Sequence, residues 1–172
     1  SLLTLVEGHL ALEVALIGRE GMVGTPLALG IDNSPLRALA QGSGTAMRMT
    51  ASHFQKGFRD SPSLRREVYC YIHALMAQLA QTAACNRFHV VEARLARRLL
   101  MAADYAPSHT FHLTHEFLAS MLGVRRVGVT KAAHALQQQN LINFSRGEIT
   151  ILDRSGLEAA ACSCYKMVAI PP

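Results

Sequence analysis

The period of apolar and polar positions changes once along the chain, near residue 50. Before that point the pattern is short and strand-like. Strand character is present already at Leu2, Val6 to Gly8 reads as a turn, and residues 9–18 (HLALEVALIG) alternate as a half-buried strand. Gly18, Gly21, Gly24 and Gly30, with Pro26 and Pro35, punctuate the next stretch, and residues 38–49 offer two more strands around Gly42-Ser43-Gly44. Short strands with recurring turn signals predict a small roll or sandwich.

After residue 50 the helical period takes over. Thr50 or Ser52 can cap a short helix through Phe58. Ser61 and Pro62 then form an N-cap and first turn. From there Leu64, Val68, Ile72, Leu75, Leu79, Thr82 and Asn86 fall at steps of 4, 4, 3, 4, 3 and 4. Two readings fit that stripe, a coiled-coil seam between two copies and a helix packed on its own domain. The length and the polar pair Thr82/Asn86 favour the seam, because a polar seam position sets register and partner number. Residues 90–106 form the next amphipathic helix, with Leu95, Leu99 and Leu100 expected inward, Arg94, Arg97 and Arg98 mostly outward, and Pro107 as its stop. Phe111 and Leu113 make a short extended piece. Residues 141–152 (LINFSRGEITIL) read as a hairpin turning at Ser145-Arg146-Gly147-Glu148. Ser155 is the expected cap of a last helix through Cys164, and residues 168–172 a loose tail.

Between these lies the stretch LASMLGVRRVGVTKAAHALQ, residues 118–137. Thr114 caps its first helix and Glu116 suits the positive end of the helix dipole. Phe117, Leu118 and Met121 share a face, Gly123 supplies a left-handed corner and Val124 plugs the angle. Val129, Ala132, Ala133 and Leu136 form the buried face of the second helix, and Gly128 and Ala132 are small enough for a close neighbour. The spacing is that of a helix-turn-helix, whose second helix meets base edges with its N-terminal residues. Arg125 and Arg126 crowd that end, and Lys131 follows on the exposed side. The hairpin makes the motif a winged one, with Arg146 at the tip for a phosphate.

Charge agrees with this. Lys and Arg number 17 against 12 Asp and Glu, a net of +5, and arginine outnumbers lysine 14 to 3. Arginine's planar fork suits phosphates and guanine edges. Of the cysteines Cys70, Cys85, Cys162 and Cys164, two lie inside helical patterns, and no signal peptide implies an oxidising compartment. No apolar run approaches the ~20 residues of a membrane span.

Residues 113–142, LTHEFLASMLGVRRVGVTKAAHALQQQNLI, with QNLI leading into the wing, resemble the Crp/Fnr superfamily of bacterial transcription regulators, and the resemblance covers nearly all of the chain. It implies an α+β fold: the latter part of a cupin-like sensory β-roll over residues 1–60, a dimerisation helix over 61–88, and a winged helix-turn-helix domain over 89–172. The chain starts in mid-strand without methionine, so the first strands of the roll are expected upstream of it. The resemblance also implies a cytoplasmic, non-enzymatic regulator that binds a pseudo-palindromic double-stranded DNA operator as a homodimer through the helix from Leu64 to Asn86, with RNA polymerase as a further partner and no membrane. Position by position, Arg126 falls where the family often places a base-reading arginine, and Lys131 where a second basic reader sits. Val127 stands where many members carry a base-reading glutamate; a valine can only pack on a thymine methyl. Thr114, His115 and Arg125 fall at phosphate contacts.

The sensory half carries less. In the cyclic-nucleotide branch a Gly-Glu-Leu and an Arg-Ser or Arg-Thr pair hold ribose and phosphate; here Gly24-Thr25-Pro26 and Ser34-Pro35 stand instead, with Glu20 and Arg37 out of register. A buried phosphate without its arginine is poorly compensated, so no cyclic nucleotide is expected and the effector stays unnamed. His109, His112 and His115 recur every three residues, but across a loop and strand rather than on one helical face. Cys162-x-Cys164 is at most half a zinc site and is expected to pack the last helix. No nucleophile elbow or other catalytic frame is present. The competing reading is an effector-binding or protein-interaction module that keeps the fold without binding DNA.

Overall fold

In the computed structural model residues 1–6, 10–42, 44–105 and 110–167 are described. Strands β1 (Leu2–Val6) and β2 (Leu10–Ala15) form an antiparallel hairpin in which Leu3 faces Glu13, and β3 (Arg37–Ala38) pairs with the other edge of β1, giving the order β2-β1-β3. The two strands expected within 38–49 do not form among the described residues. That segment is exposed and has no alternating apolar face to bury; Met47 and Met49 both point to solvent. Residues Thr25–Leu29 make a single 3-10 turn, flanked by Gly24 and Gly30 in the left-handed region and started by Pro26.

Thr50 caps α1 (Ala51–Asp60) by accepting from the His53 N–H, and Ser61 caps α2 (Pro62–Phe88) by accepting from the Leu64 N–H. The middle of the stripe expected to join two copies lies against the chain's own sheet. Leu75 sits in one core with Leu2 and Ala15, Leu79 and Tyr71 pack at its margin, and Gln78 Nε2 donates to the Leu16 carbonyl at 3.2 Å. An apolar stripe must be covered, and the strands cover this one.

The larger core belongs to the C-terminal half. Leu95, Leu99 and Leu100 of α3 (Val91–Tyr105) meet Leu118 of α4 (His115–Leu122), Leu136 of α5 (Arg126–Gln138) and Ile149 of β6 (Glu148–Ile151). A second sheet has the order β4-β6-β5, with β4 at Thr110–His112 and β5 at Ile142–Ser145. Arg94, Arg97 and Arg98 are not outward as expected. They are 6%, 8% and 5% exposed, because α3 is covered on both sides, by its own domain and by α2 with β2. Arg98 pairs with Glu13 at 2.6 Å, and Arg94 donates to Asn86 Oδ1 at 2.7 Å and to the Leu122 carbonyl.

At the C-terminal end, Asp153 rather than Ser155 caps α6 (Arg154–Ala160), accepting from the Gly156 N–H at 3.0 Å. An aspartate two residues earlier competes successfully for the same orphan donors. The helix ends before Cys164, and a short α7 (Cys164–Met167) follows. Pro107, His109, Glu7 and Gly8 of the turn expected from Val6 to Gly8, and the tail 168–172 lie outside the described residues. No helix among the described residues is long and apolar enough to cross a membrane.

Candidate nucleic-acid interface

The corner forms as its residues dictate. Thr114 Oγ1 accepts from the Phe117 N–H at 3.1 Å and so starts α4. Gly123 ends it at φ 62°, where a side chain would be strained and its Cβ would stand 2.7 Å from Leu12 Cδ1. Val124 is half-buried against the core. Val129, Ala132, Ala133 and Leu136 then bury one face of α5. Gly128 plays no close-packing part, since a Cβ there would meet open space.

Everything on the other face is available. Arg125, Arg126, Val127 and Lys131 are all exposed. Arg125 is the N-cap of α5 and offers no side-chain cap, and the first turn contains no acidic residue. The positive end of the helix dipole is therefore left open beside two guanidinium groups, an arrangement suited to an anion. Val127 and Lys131, four apart, lie one above the other on that face.

The wing closes the same surface. Arg146 and Gly147 form its two-residue turn at φ 52° and 84°, the left-handed pair that a tight hairpin of this twist requires. The Leu113 N–H donates to the Gly147 carbonyl at 2.8 Å, so the wing tip is tied to the chain just before Thr114. Arg146 and Thr114 are both exposed.

His115 is placed differently from the phosphate contact expected of it. Its ring stacks on Phe144, centroids 4.2 Å apart, Nδ1 lies 3.0 Å from Thr130 Oγ1, and Nε2 is buried without a partner. Burial, with the Arg126 charge as a lesser cause, holds its pKa below the ordinary 6.5. The stacked ring lies between Phe144 of the wing and Thr130 of α5 and so braces the one against the other. Thr130, which also donates to the Arg126 carbonyl at 3.1 Å, is the bracing residue that sequence patterns did not single out. A threonine on an exposed helical face gives no local signal of such a bond.

A helix-turn-helix with a basic, solvent-facing second helix and a wing defines the DNA-binding-domain class of transcription regulators. Residues 93–160 match the Crp-like helix-turn-helix domain family. Residues 93–160 are thus a Crp-like helix-turn-helix domain, and the fold of the chain is that of the Crp/Fnr regulators on which it superposes. TTHA1359, a CRP/FNR family transcriptional regulator from Thermus thermophilus, superposes with a TM-score of 0.69 at 20% identity over 93% of this chain and 81% of its own. FixK2 from Bradyrhizobium japonicum does so with a TM-score of 0.58 at 17% identity over 66% of this chain and 59% of its own. A Eubacterium rectale protein ascribed to the crp/fnr family is 28% identical over 64% of this chain, with a TM-score of 0.49; the match spans about half of that protein's length, 51%. Comparison with curated protein sequences returns no match.

Proposed function

We propose that the chain binds a pseudo-palindromic double-stranded DNA operator as a homodimer, in the cytoplasm, and regulates transcription from it. The observation that carries this reading is the face of α5: Arg125, Arg126, Val127 and Lys131 are exposed on a helix whose opposite face is locked into the core. Arg126 reads a base edge, Lys131 reads or neutralises one turn further on, and Val127 packs on a thymine methyl. Thr114, Arg125 and Arg146 hold phosphates on either side. RNA polymerase is the partner such a regulator meets at a promoter. A cyclic nucleotide is not part of the reading, since Gly24-Thr25-Pro26 and Ser34-Pro35 carry neither the carboxylate nor the guanidinium that would hold one.

Two copies meet through α2, but by the face turned away from the sheet. Tyr69, His73, Met76, Ala80, Ala83 and Arg87 are all exposed and succeed one another at steps of 4, 3, 4, 3 and 4, a heptad seam beside the stripe that packs inward. Tyr69 and Met76 are 52% and 64% exposed, and the alanines allow close approach. In such a dimer the two recognition helices address half-sites about one helical turn, ~34 Å, apart.

Selection of bound sequences from a random duplex pool tests the reading, with a two-fold symmetric motif as the expected result. Arg126→Ala then weakens binding to the selected site by ~1–3 kcal/mol and relaxes one base position. An equal loss on selected and random duplex, at one salt concentration, refutes base reading by Arg126.

A further inference from the structure

The pair Cys162-x-Cys164, which sequence patterns assign to packing, has company in the folded chain. Cys85 lies in the last turn of α2 and His89 is the residue that ends it. The three sulfur atoms of Cys85, Cys162 and Cys164 and a ring nitrogen of His89 all lie within 4.8 Å of one another. Cys85 Sγ is 3.5 Å from Cys162 Sγ, and Cys164 Sγ is 3.4 Å from His89 Nδ1. Cys85, Cys162 and Cys164 are 1%, 7% and 1% exposed. We propose that these four side chains hold one divalent cation of the zinc class, in a closed site that fastens the end of the long helix to the C-terminal domain.

The geometry favours a single ion. Zinc binds thiolate sulfur at about 2.3 Å and imidazole nitrogen at about 2.0 Å, so the edges of its tetrahedron are roughly 3.5–3.8 Å long. The observed separations of 3.4 and 3.5 Å are already of that length. An iron–sulfur cluster would spread its ligands over more than one iron and needs them farther apart. All four donors come from the protein, which is the pattern of a structural site rather than of a catalytic one with an open position.

Two features outside the donor set fit a loaded site. The first is charge. A dication with three thiolates and a neutral imidazole carries one negative charge, and the protons of any thiols that bind leave to solvent with no transfer of electrons. Arg97 is buried, its Nε has no hydrogen-bond partner, and its charge acts on Cys85. Neither Arg97 nor Arg94 has a carboxylate partner among the described residues. A buried guanidinium without an anion is costly, and the loaded site supplies one. The second is Gln81, whose Nε2 donates to Cys164 Sγ at 2.8 Å, the kind of outer hydrogen bond that orients a ligating thiolate.

The site ties three segments together. Cys85 and His89 end α2, the Cys162 N–H donates to the Ala93 carbonyl of α3 at 3.3 Å, and Cys164 opens α7. The ion would fix the joint between the helix that carries the dimer contact and the domain that carries α5.

The test uses the whole chain, purified under reducing conditions from zinc-supplemented growth. Elemental analysis should give about one zinc per chain and no acid-labile sulfide. After removal of the zinc with a chelator, cobalt(II) should produce the intense ligand-field absorption of a tetrahedral sulfur-rich site, saturating at about one equivalent. Cys164→Ser and His89→Ala should each abolish full loading, and Gln81→Ala should weaken zinc binding about 10–100-fold in competition with a chromophoric chelator. Cys70→Ser, an exposed cysteine away from the cluster, should load as the wild type does. Wild-type protein that retains no zinc and gives no cobalt spectrum overturns the proposal, whether or not the variants fold. So does iron with labile sulfide, a Cys85–Cys162 disulfide seen as the loss of two hydrogens, or undiminished zinc in Cys164→Ser.

Discussion

Glu13→Gln should cost the protein a large share of its stability, because it removes the carboxylate set among three buried arginines. Glu13 on β2 and Arg98 on α3 are both buried; Arg98 Nε lies 2.6 Å from Glu13 Oε1, and Nη2 donates to Oε2 at 3.1 Å. Gln41 Nε2 adds a hydrogen bond to Oε2 at 2.7 Å. Arg94 and Arg97 line the same cleft, so the neutral glutamine leaves Arg98 facing like charge with no anion. With charge centres about 4 Å apart, the lost attraction is about 4 kcal/mol at an effective dielectric of 20. Removing one member of a buried pair costs about 3–5 kcal/mol by experience, of a total of about 5–15. Replacing both, as Glu13→Leu with Arg98→Met, should bring stability back toward the wild type, since neither member of the pair is then left buried without the other. Urea unfolding followed by circular dichroism, at one protein concentration because the proposed dimer would shift apparent stability, measures all of these. A loss under about 1 kcal/mol for Glu13→Gln, or a double variant as unstable as the two single losses added, refutes the coupling of sheet and DNA-binding domain through this pair.

His115 and Met76 give two further outcomes. His115 is held below its ordinary 6.5, by burial first and by Arg126 second, so the folded state favours the neutral ring. Its contribution to stability is complete above pH 6.5 and is lost as the pH falls through the lower folded value; His115→Gln should remove that part of the slope below the ordinary 6.5, and an unchanged slope in urea midpoints refutes it. Met76→Glu places a charge on the exposed face of α2 and removes an apolar side chain from each copy. Burying a methionine contributes roughly 1.5–3 kcal/mol, so two should weaken the dimer about 100-fold or more in sedimentation equilibrium, and an unaltered dimer constant refutes the seam through Met76.

What could be read in the residues themselves was what neighbours in the chain decide. Thr50, Ser61 and Thr114 cap helices because each needs only a donor three residues on, and Gly123 and Arg146-Gly147 turn because their own backbone angles demand it. The exposed front of α5 is legible likewise, since Val129, Ala133 and Leu136 name the buried face and leave Arg126 and Lys131 opposite. Partners distant in sequence behave otherwise. An apolar stripe says that it is covered but not by what, which is why the stripe from Leu64 to Asn86 read as a seam between copies although its middle lies on β1 and β2. Periodicity also assumes one covered face, and α3 has two; its arginines look outward only until Glu13, 85 residues from Arg98, is placed beside them. The cysteines make the same point most sharply. Cys162 and Cys164 carry half a ligand set by any local rule, and Cys85, 77 residues from Cys162, completes it together with His89 only once α2 and α7 are folded against each other. Chemistry assembled across the joint between two halves of a chain leaves its signature in contacts, and the contacts that set this joint are the ion pair on one side of α3 and the sulfur cluster at the start of the same helix.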